Sequence, residues 1–199
     1  MNSLETCELL AKHPCDLSET SRGGINNEAL VSCSYPAVSI DDAMHEYARS
    51  FPGLDGFPPS ADALVGMDSS EPLLVEFKSG KNIDKGEIRG KLMSTLLMLG
   101  ELGALTLEQS RSSLEFVLVY KRSVQFGAGS NQDNPCMRVQ DSAARGSIIA
   151  STLSLARNNA LPRKLSGMEN GMEKIFVRRF SVLSEREFEE KIRELSSGL

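Results

Sequence analysis

Tryptophan is absent from the 199 residues. A surface that grips nucleic acid by stacking bases on broad aromatic rings is thereby weakened. C-x-x-C pairs are missing too. The four cysteines, Cys7, Cys15, Cys33 and Cys136, are scattered along the chain. Cys7, His13 and Cys15 lie close together, but no fourth ligand follows at finger-like spacing. Free thiols in a reducing compartment are the expected state. No long apolar run occurs either. The most apolar segment, 92–107, is interrupted by Glu101 and is too short to span a bilayer. The opening MNSLETCELLAKHPCD lacks a basic start, an apolar core and a small-residue cleavage site, so a cytoplasmic location without membrane partners is expected. Internal repeats and low-complexity tracts are absent.

What is present is an ordinary globular composition, 40% hydrophobic and 25% charged, with length for one sizeable core. Charge is uneven. Residues 1–80 carry thirteen acids and four bases, a net −9; residues 81–199 carry fourteen acids and eighteen bases, a net +4. Any surface that meets phosphates has to come from the second part.

The informative stretch is 61–81, ADALVGMDSSEPLLVEFKSGK. Two runs of strand length, DALVGM and LLVEFK, flank the turn Asp68-Ser69-Ser70-Glu71-Pro72. Three charged residues interrupt this hairpin: Asp62, Glu76 and Lys78. Alternation along a strand puts Glu76 and Lys78 on one face. Folding about Ser69 sets Asp62 opposite Glu76; folding about Ser70 sets it opposite Lys78. In either register the three share a face, with directly paired Cβ atoms about 5 Å apart. The plain alternative is that Glu76 and Lys78 are cross-strand partners on a half-exposed sheet.

An aspartate, thirteen intervening residues, then Glu-x-Lys on an apolar strand resembles the PD-(D/E)XK nuclease superfamily. The prolines that give the motif its name are displaced here, Pro58-Pro59 lying three and four residues before Asp62. The resemblance implies an α/β fold, a three-layer α/β/α arrangement with a central mixed sheet of the restriction-endonuclease-like kind. It implies metal-dependent hydrolysis of phosphodiester bonds in nucleic acid. Asp62 and Glu76 would hold Mg²⁺ or Mn²⁺, with the backbone carbonyl of Phe77 completing the set. Lys78 would orient or deprotonate the attacking water. Glu46, on the preceding helix, is the natural candidate for a further carboxylate reaching the metal; its plain alternative is a solvated helix glutamate. DNA is the expected substrate, although nothing in the sequence selects it over RNA, and a homodimer is an arrangement the resemblance allows. The alternative function is a catalytically silent domain of the same fold that acts as an interaction or regulatory module.

The flanking elements are consistent with that frame. Residues 1–38 are weakly patterned, with a short helix around Leu9-Leu10 and a strand expected at Ala29–Ser34; residues 39–199 are expected to form one domain. Ser39 caps a helix to Phe51 whose stripe is Ile40, Ala43, Met44, Tyr47 and Ala48. His45 is expected at its surface. The proline-rich stretch 52–60 is an extended connection, and Asp55 within it ranks below Asp62. A long helix over 81–103 carries the stripe Ile88, Leu92, Leu96 and Leu99, and its wet end presents Lys91 as a phosphate-binding candidate. Leu114–Lys121 is a strand buried on both faces and parallel to the Glu76 strand, joined to it by a right-handed crossover. Residues 123–147 are a long loop, part of 142–158 is helical, and 161–170 is a basic loop. Lys174–Leu183 is a strand containing Arg178 and Arg179, the other phosphate-facing candidates. A capping box at Ser184-x-x-Glu187 opens a final helix with the stripe Phe188, Ile192 and Leu195.

Overall fold

The computed structural model describes residues 7–23, 27–79, 83–121 and 171–197. The loop, helix and basic loop expected between 123 and 170 lie outside these residues. The described elements are α1 (Glu8–Ala11), β1 (Pro14–Asp16), α2 (Leu17–Thr20), β2 (Arg22–Gly23), β3 (Glu28–Ala29), β4 (Pro36–Ser39) and α3 (Ile40–Arg49). They continue with β5 (Ala63–Val65), β6 (Leu73–Lys78), α4 (Lys85–Glu101), α5 (Leu107–Ser113), β7 (Glu115–Tyr120), β8 (Arg179–Ser184) and α6 (Glu185–Ser197).

Six strands form one mixed sheet in the order β1-β4-β5-β6-β7-β8. The pairs from β1 to β6 are antiparallel, while β6, β7 and β8 run parallel. Period-two alternation divides the side chains between two cores. Leu64, Leu74, Phe116 and Leu118 face one side, under Ile40 and Met44 of α3 and Ile88 and Leu92 of α4. Val65, Val75, Val117 and Val119 face the other, under Leu17 of α2 and Phe188 and Ile192 of α6. Helices thus cover both faces of a mixed α/β sheet, and β7 reads as a continuous apolar run because both its faces are buried.

Local chemistry fixes the element ends. Ser39 accepts from the Asp42 amide at 3.2 Å and starts α3. Asp84 accepts from the amides of Gly86 and Glu87, so α4 begins after it rather than at Lys81. Gly103 (φ +66°) ends α4, in the left-handed conformation that glycine tolerates. The β5–β6 turn uses Gly66 at φ +68°, where an added Cβ would meet the Ser69 Cβ at 3.2 Å. Ser184 and Glu187 form the expected capping box of α6.

Three expectations are corrected. The strand expected at Ala29–Ser34 falls instead at Pro36–Ser39. The backbone of 30–32 is engaged elsewhere: the Leu30 amide bonds Ser21 O, the Val31 amide the Ser21 hydroxyl, and the Ser32 amide Glu189 Oε1. Proline is tolerated at the first residue of a strand, where Pro36 stands. The strand expected from Lys174 begins only at Arg179, because Lys174 takes φ +64° in a local turn closed by its amide on Val177 O at 2.8 Å. Helix α5 was not expected. Its signal was a Thr106-x-x-Gln109 capping box, which both side chains form. Where the sequence showed weak patterning over 1–38, β1 and β4 join the main sheet, and Leu10 and Leu17 are fully buried in its two cores.

Candidate active site

The hairpin closes in the register centred on Ser69. Ala63 pairs with Val75 and Val65 with Leu73, and the Asp62 amide continues the ladder to Val75 O at 3.0 Å. Asp62 therefore lies opposite Glu76. Its carbonyl accepts from the Ile40 amide at 3.1 Å, which ties it to the start of α3, and its Oδ2 accepts from the Phe77 amide at 2.6 Å.

Glu76 occupies the face of β6 that α4 covers, level with Leu118 of β7. It is fully buried, whereas the side chains of Asp62, Lys78 and Lys91 remain 15%, 17% and 17% exposed. Lys91 reaches down from the second turn of α4. Its ammonium lies 2.9 Å from Glu76 Oε1, 3.0 Å from Oε2 and 3.4 Å from Asp62 Oδ1. Lys78 Nζ lies 3.1 Å from the same Glu76 Oε1 and 2.5 Å from Oε1 of Glu87 in the first turn of α4. One ammonium thus bridges the two carboxylates, and a second is shared between the cluster and α4.

Both ammonium groups touch Glu76 Oε1, yet that atom has no directed hydrogen bond. Its charge is met there by two ion pairs rather than by a directed hydrogen bond. Buried carboxylate oxygens ordinarily have such a partner, so this one stands out.

Electrostatics follow from burial. Desolvation pushes Glu76 up to about 7, assisted by the neighbouring Asp62 charge and opposed by Lys91 and Lys78. Desolvation also pushes Asp62 up to about 6 against the pull of Lys91 and the Phe77 amide. On Lys91, desolvation acts downward but Asp62 and Glu76 together overcome it and raise the ammonium well above its ordinary value. These directions agree with one another: Lys91 draws on two carboxylates, while Asp62 has a share of Lys91 and Glu76 a share of Lys91 and of Lys78, too little to offset burial.

The other candidates are placed as follows. Glu46 does not join the cluster. Its carboxylate binds Lys12 Nζ and His13 Nε2, each at 3.0 Å, and the Lys12 hydrogen bond holds it below the usual carboxylate range. The carboxylate of α3 that does act on the site is Asp41, whose charge bears on both Asp62 and Lys91. It is held by the Ser60 hydroxyl. Five residues separate Asp41 from Glu46, about 140° around a helix, so both cannot face the same place. In the sequence Asp41 showed only as an acid favoured by the helix dipole; the backbone bond between Ile40 and Asp62, which brings it near, left no sequence signal.

Phe77 contributes its amide to Asp62, while its ring packs edge-on against Phe188 on the opposite face, centroids 5.8 Å apart. Arg178 and Arg179 lie at the other end of the sheet. Arg179 is level with Glu115 and Leu73, at the amino ends of the parallel strands, and Arg178 pairs with Glu71 at 2.8 Å. The Asp62–Glu76–Lys78 cluster stands toward the carboxyl end of β6. His45 is exposed against the Phe57 ring.

Among the described residues, no group of three or more His, Cys, Asp or Glu side chains is arranged to hold a metal ion. Two carboxylates with a spare buried oxygen fit the donor chemistry of a hard divalent cation. Two carboxylates are the number by which Mg²⁺ is usually held, with water and substrate supplying the other ligands. A groove of about 670 Å³, lined by Met44, Tyr47, Pro58, Met93, Leu97 and Phe176 among others, includes none of the cluster. Among the described residues no helix is long and apolar enough to cross a membrane.

Comparison with known proteins finds no matching family model, no matching curated protein and no matching solved structure.

Proposed function

We propose that this chain is a metal-dependent phosphodiesterase of the restriction-endonuclease-like kind, acting on nucleic acid, with DNA the first substrate to test. One observation carries the reading: Asp62 and Glu76 meet the same ammonium on one face of the hairpin, with Lys78 on the same strand face. Asp62 and Glu76 would hold Mg²⁺ or Mn²⁺, the ions that oxygen donors prefer. When bound, such an ion lowers the pKa of its water and offsets negative charge developing on a phosphate. Lys78, anchored by Glu87, would orient that water and meet the phosphate oxygens. Asp41 adds negative potential at the same edge.

The test is Mn²⁺ calorimetry beside cleavage assays on single- and double-stranded DNA and RNA. Glu76→Ala removes a ligand, so metal affinity and activity fall together. Lys78→Ala removes no ligand; metal binding survives while turnover drops by roughly 10²-fold or more. Absence of divalent-metal binding to the wild-type chain at millimolar concentration, with and without nucleic acid, refutes the reading.

A second reading, a catalytically silent module of the same fold, is favoured by one specific feature. Lys91 already bridges both carboxylates, and Glu76 has no exposure to solvent. Failure of the metal test selects it.

A further inference from the structure

We propose that Lys91 is the resident cation of this site: its ammonium holds the place a divalent ion takes, and it has to be withdrawn before the ion enters. The inference rests on the metal-binding reading of Asp62 and Glu76 and adds to it a control on loading.

Three observations carry it. First, the geometry is that of a bridge. Lys91 Nζ contacts Glu76 Oε1 at 2.9 Å, Glu76 Oε2 at 3.0 Å and Asp62 Oδ1 at 3.4 Å. A hard divalent ion sits about 2.0–2.6 Å from such oxygens. An ion bound to the same atoms falls within contact distance of the ammonium, and two cations do not share that volume. Second, Glu76 Oε1 is buried and lacks a directed hydrogen bond although two ammonium groups touch it. The lysine hydrogen-bonds Glu76 Oε2 and Asp62 Oδ1 and meets Oε1 by charge alone, which leaves that oxygen open to a small metal ion. Third, the two lysines are held differently. Lys78 is anchored by Glu87 at 2.5 Å, outside the carboxylate pair. The contacts of the Lys91 ammonium are with Asp62 and Glu76 themselves. Its attachment lasts only as long as those carboxylates face it.

The Lys91 side chain is 17% exposed and projects from the second turn of α4 on a flexible four-carbon stem. A rotamer change carries the ammonium from the carboxylates toward solvent. Once withdrawn it stands beside the loaded site, where an anionic phosphate is its natural partner. Phosphate and metal therefore favour the same withdrawn state, and each raises the affinity for the other by the same factor. An empty site remains latched and charge-compensated; a site offered both metal and a phosphodiester opens.

The experiment uses the full chain and MnCl₂. Calorimetric titration of wild type and Lys91→Met is expected to show Mn²⁺ binding at least tenfold tighter in the variant. In parallel, wild type is reductively methylated with and without Mn²⁺, and each lysine is quantified by mass spectrometry. Lys91 labelling is expected to rise several-fold with Mn²⁺ relative to the other lysines. Equal or weaker Mn²⁺ binding by Lys91→Met, with wild type binding normally, overturns the inference and leaves the phosphodiesterase reading standing. Lys91 labelling that Mn²⁺ leaves unchanged or lowers, in a chain that binds Mn²⁺, overturns it too, and this arm decides the matter if the variant does not fold. Failure of both chains to bind Mn²⁺ removes the metal-binding reading and the inference with it.

Discussion

Replacing Lys91 by methionine removes the bridging charge and keeps much of the side-chain stem. Breaking a buried ion pair in this way ordinarily costs about 3–5 kcal/mol. Here the loss has a ceiling set by pH, because Asp62 and Glu76 take up protons rather than remain buried and uncompensated. The ceiling is the free energy of holding both in the neutral form. With both carboxyls pushed up by burial, Asp62 to about 6 and Glu76 to about 7, that cost is small at pH 5 and grows to on the order of a few kcal/mol by pH 8. The sign follows from the direction of the shifts. Both carboxyls are raised above their ordinary values, so their contribution to stability is present at low pH and is lost as pH rises through the folded values. Lys91 reduces that loss in wild type, and its removal enlarges it. Urea unfolding of the two chains at pH 5, 7 and 8 measures the difference from the midpoints, provided the slopes agree. A difference that stays constant from pH 5 to pH 8 would falsify the ionic account and make Lys91 a packing residue.

Two further outcomes are expected away from the bridging lysine. Glu115 is buried on the opposite face of the sheet, bound by Lys191 at 2.9 and 3.0 Å and by the Ser181 hydroxyl at 2.6 Å. Desolvation acts upward on it, but these partners outweigh it and hold its carboxyl below the ordinary value. Lys191→Met should therefore cost about 1–3 kcal/mol at neutral pH, and the cost should shrink as pH falls through the carboxyl's folded value; urea midpoints at pH 3 and 7 check this. Reversing Arg178 and Arg179 to glutamate should leave Mn²⁺ binding and cleavage unchanged, because both lie at the opposite end of the sheet from Glu76. A tenfold drop in either would show that this end meets the substrate.

The hairpin was legible because strand alternation and turn chemistry are local. The sequence left two registers open, and the structure uses the one that pairs Asp62 with Glu76. That choice depends on Gly66 and the Ser69 amide closing the turn at 3.0 Å, one residue away from the alternative. The capped helices α3 and α6 were equally plain, since Ser39 and Ser184 each precede an apolar stripe. Glu46 and Asp41 were not separable in this way. Both lie on α3, and which of them faces the hairpin is set by the backbone bond from Ile40 to Asp62, a contact across 22 positions. Nor was the fate of Arg178 and Arg179 legible. A strand was expected around them, but the end of the sheet they occupy depends on β8 running parallel to β7.

The uneven charge of the chain takes a different meaning in the folded protein. The second part of the sequence was the expected source of phosphate-binding bases. Several of those bases are committed to acids of the first part: Lys91 to Asp62 and Glu76, Lys121 to Glu28, and Arg178 to Glu71. The net −9 and +4 of the two parts are in this respect complementary halves of one fold. Exposed pairs among them, such as Lys121–Glu28 at 3.7 Å, contribute little and are screened by salt. The pair at Glu76 differs because its carboxylate is fully buried and salt screens it far less. A cation that leaves it has to be replaced by another cation or by a proton. On the proposed reading, lysine, metal ion and proton compete for one pair of carboxylates, and the chemistry of the site depends on which of the three holds it.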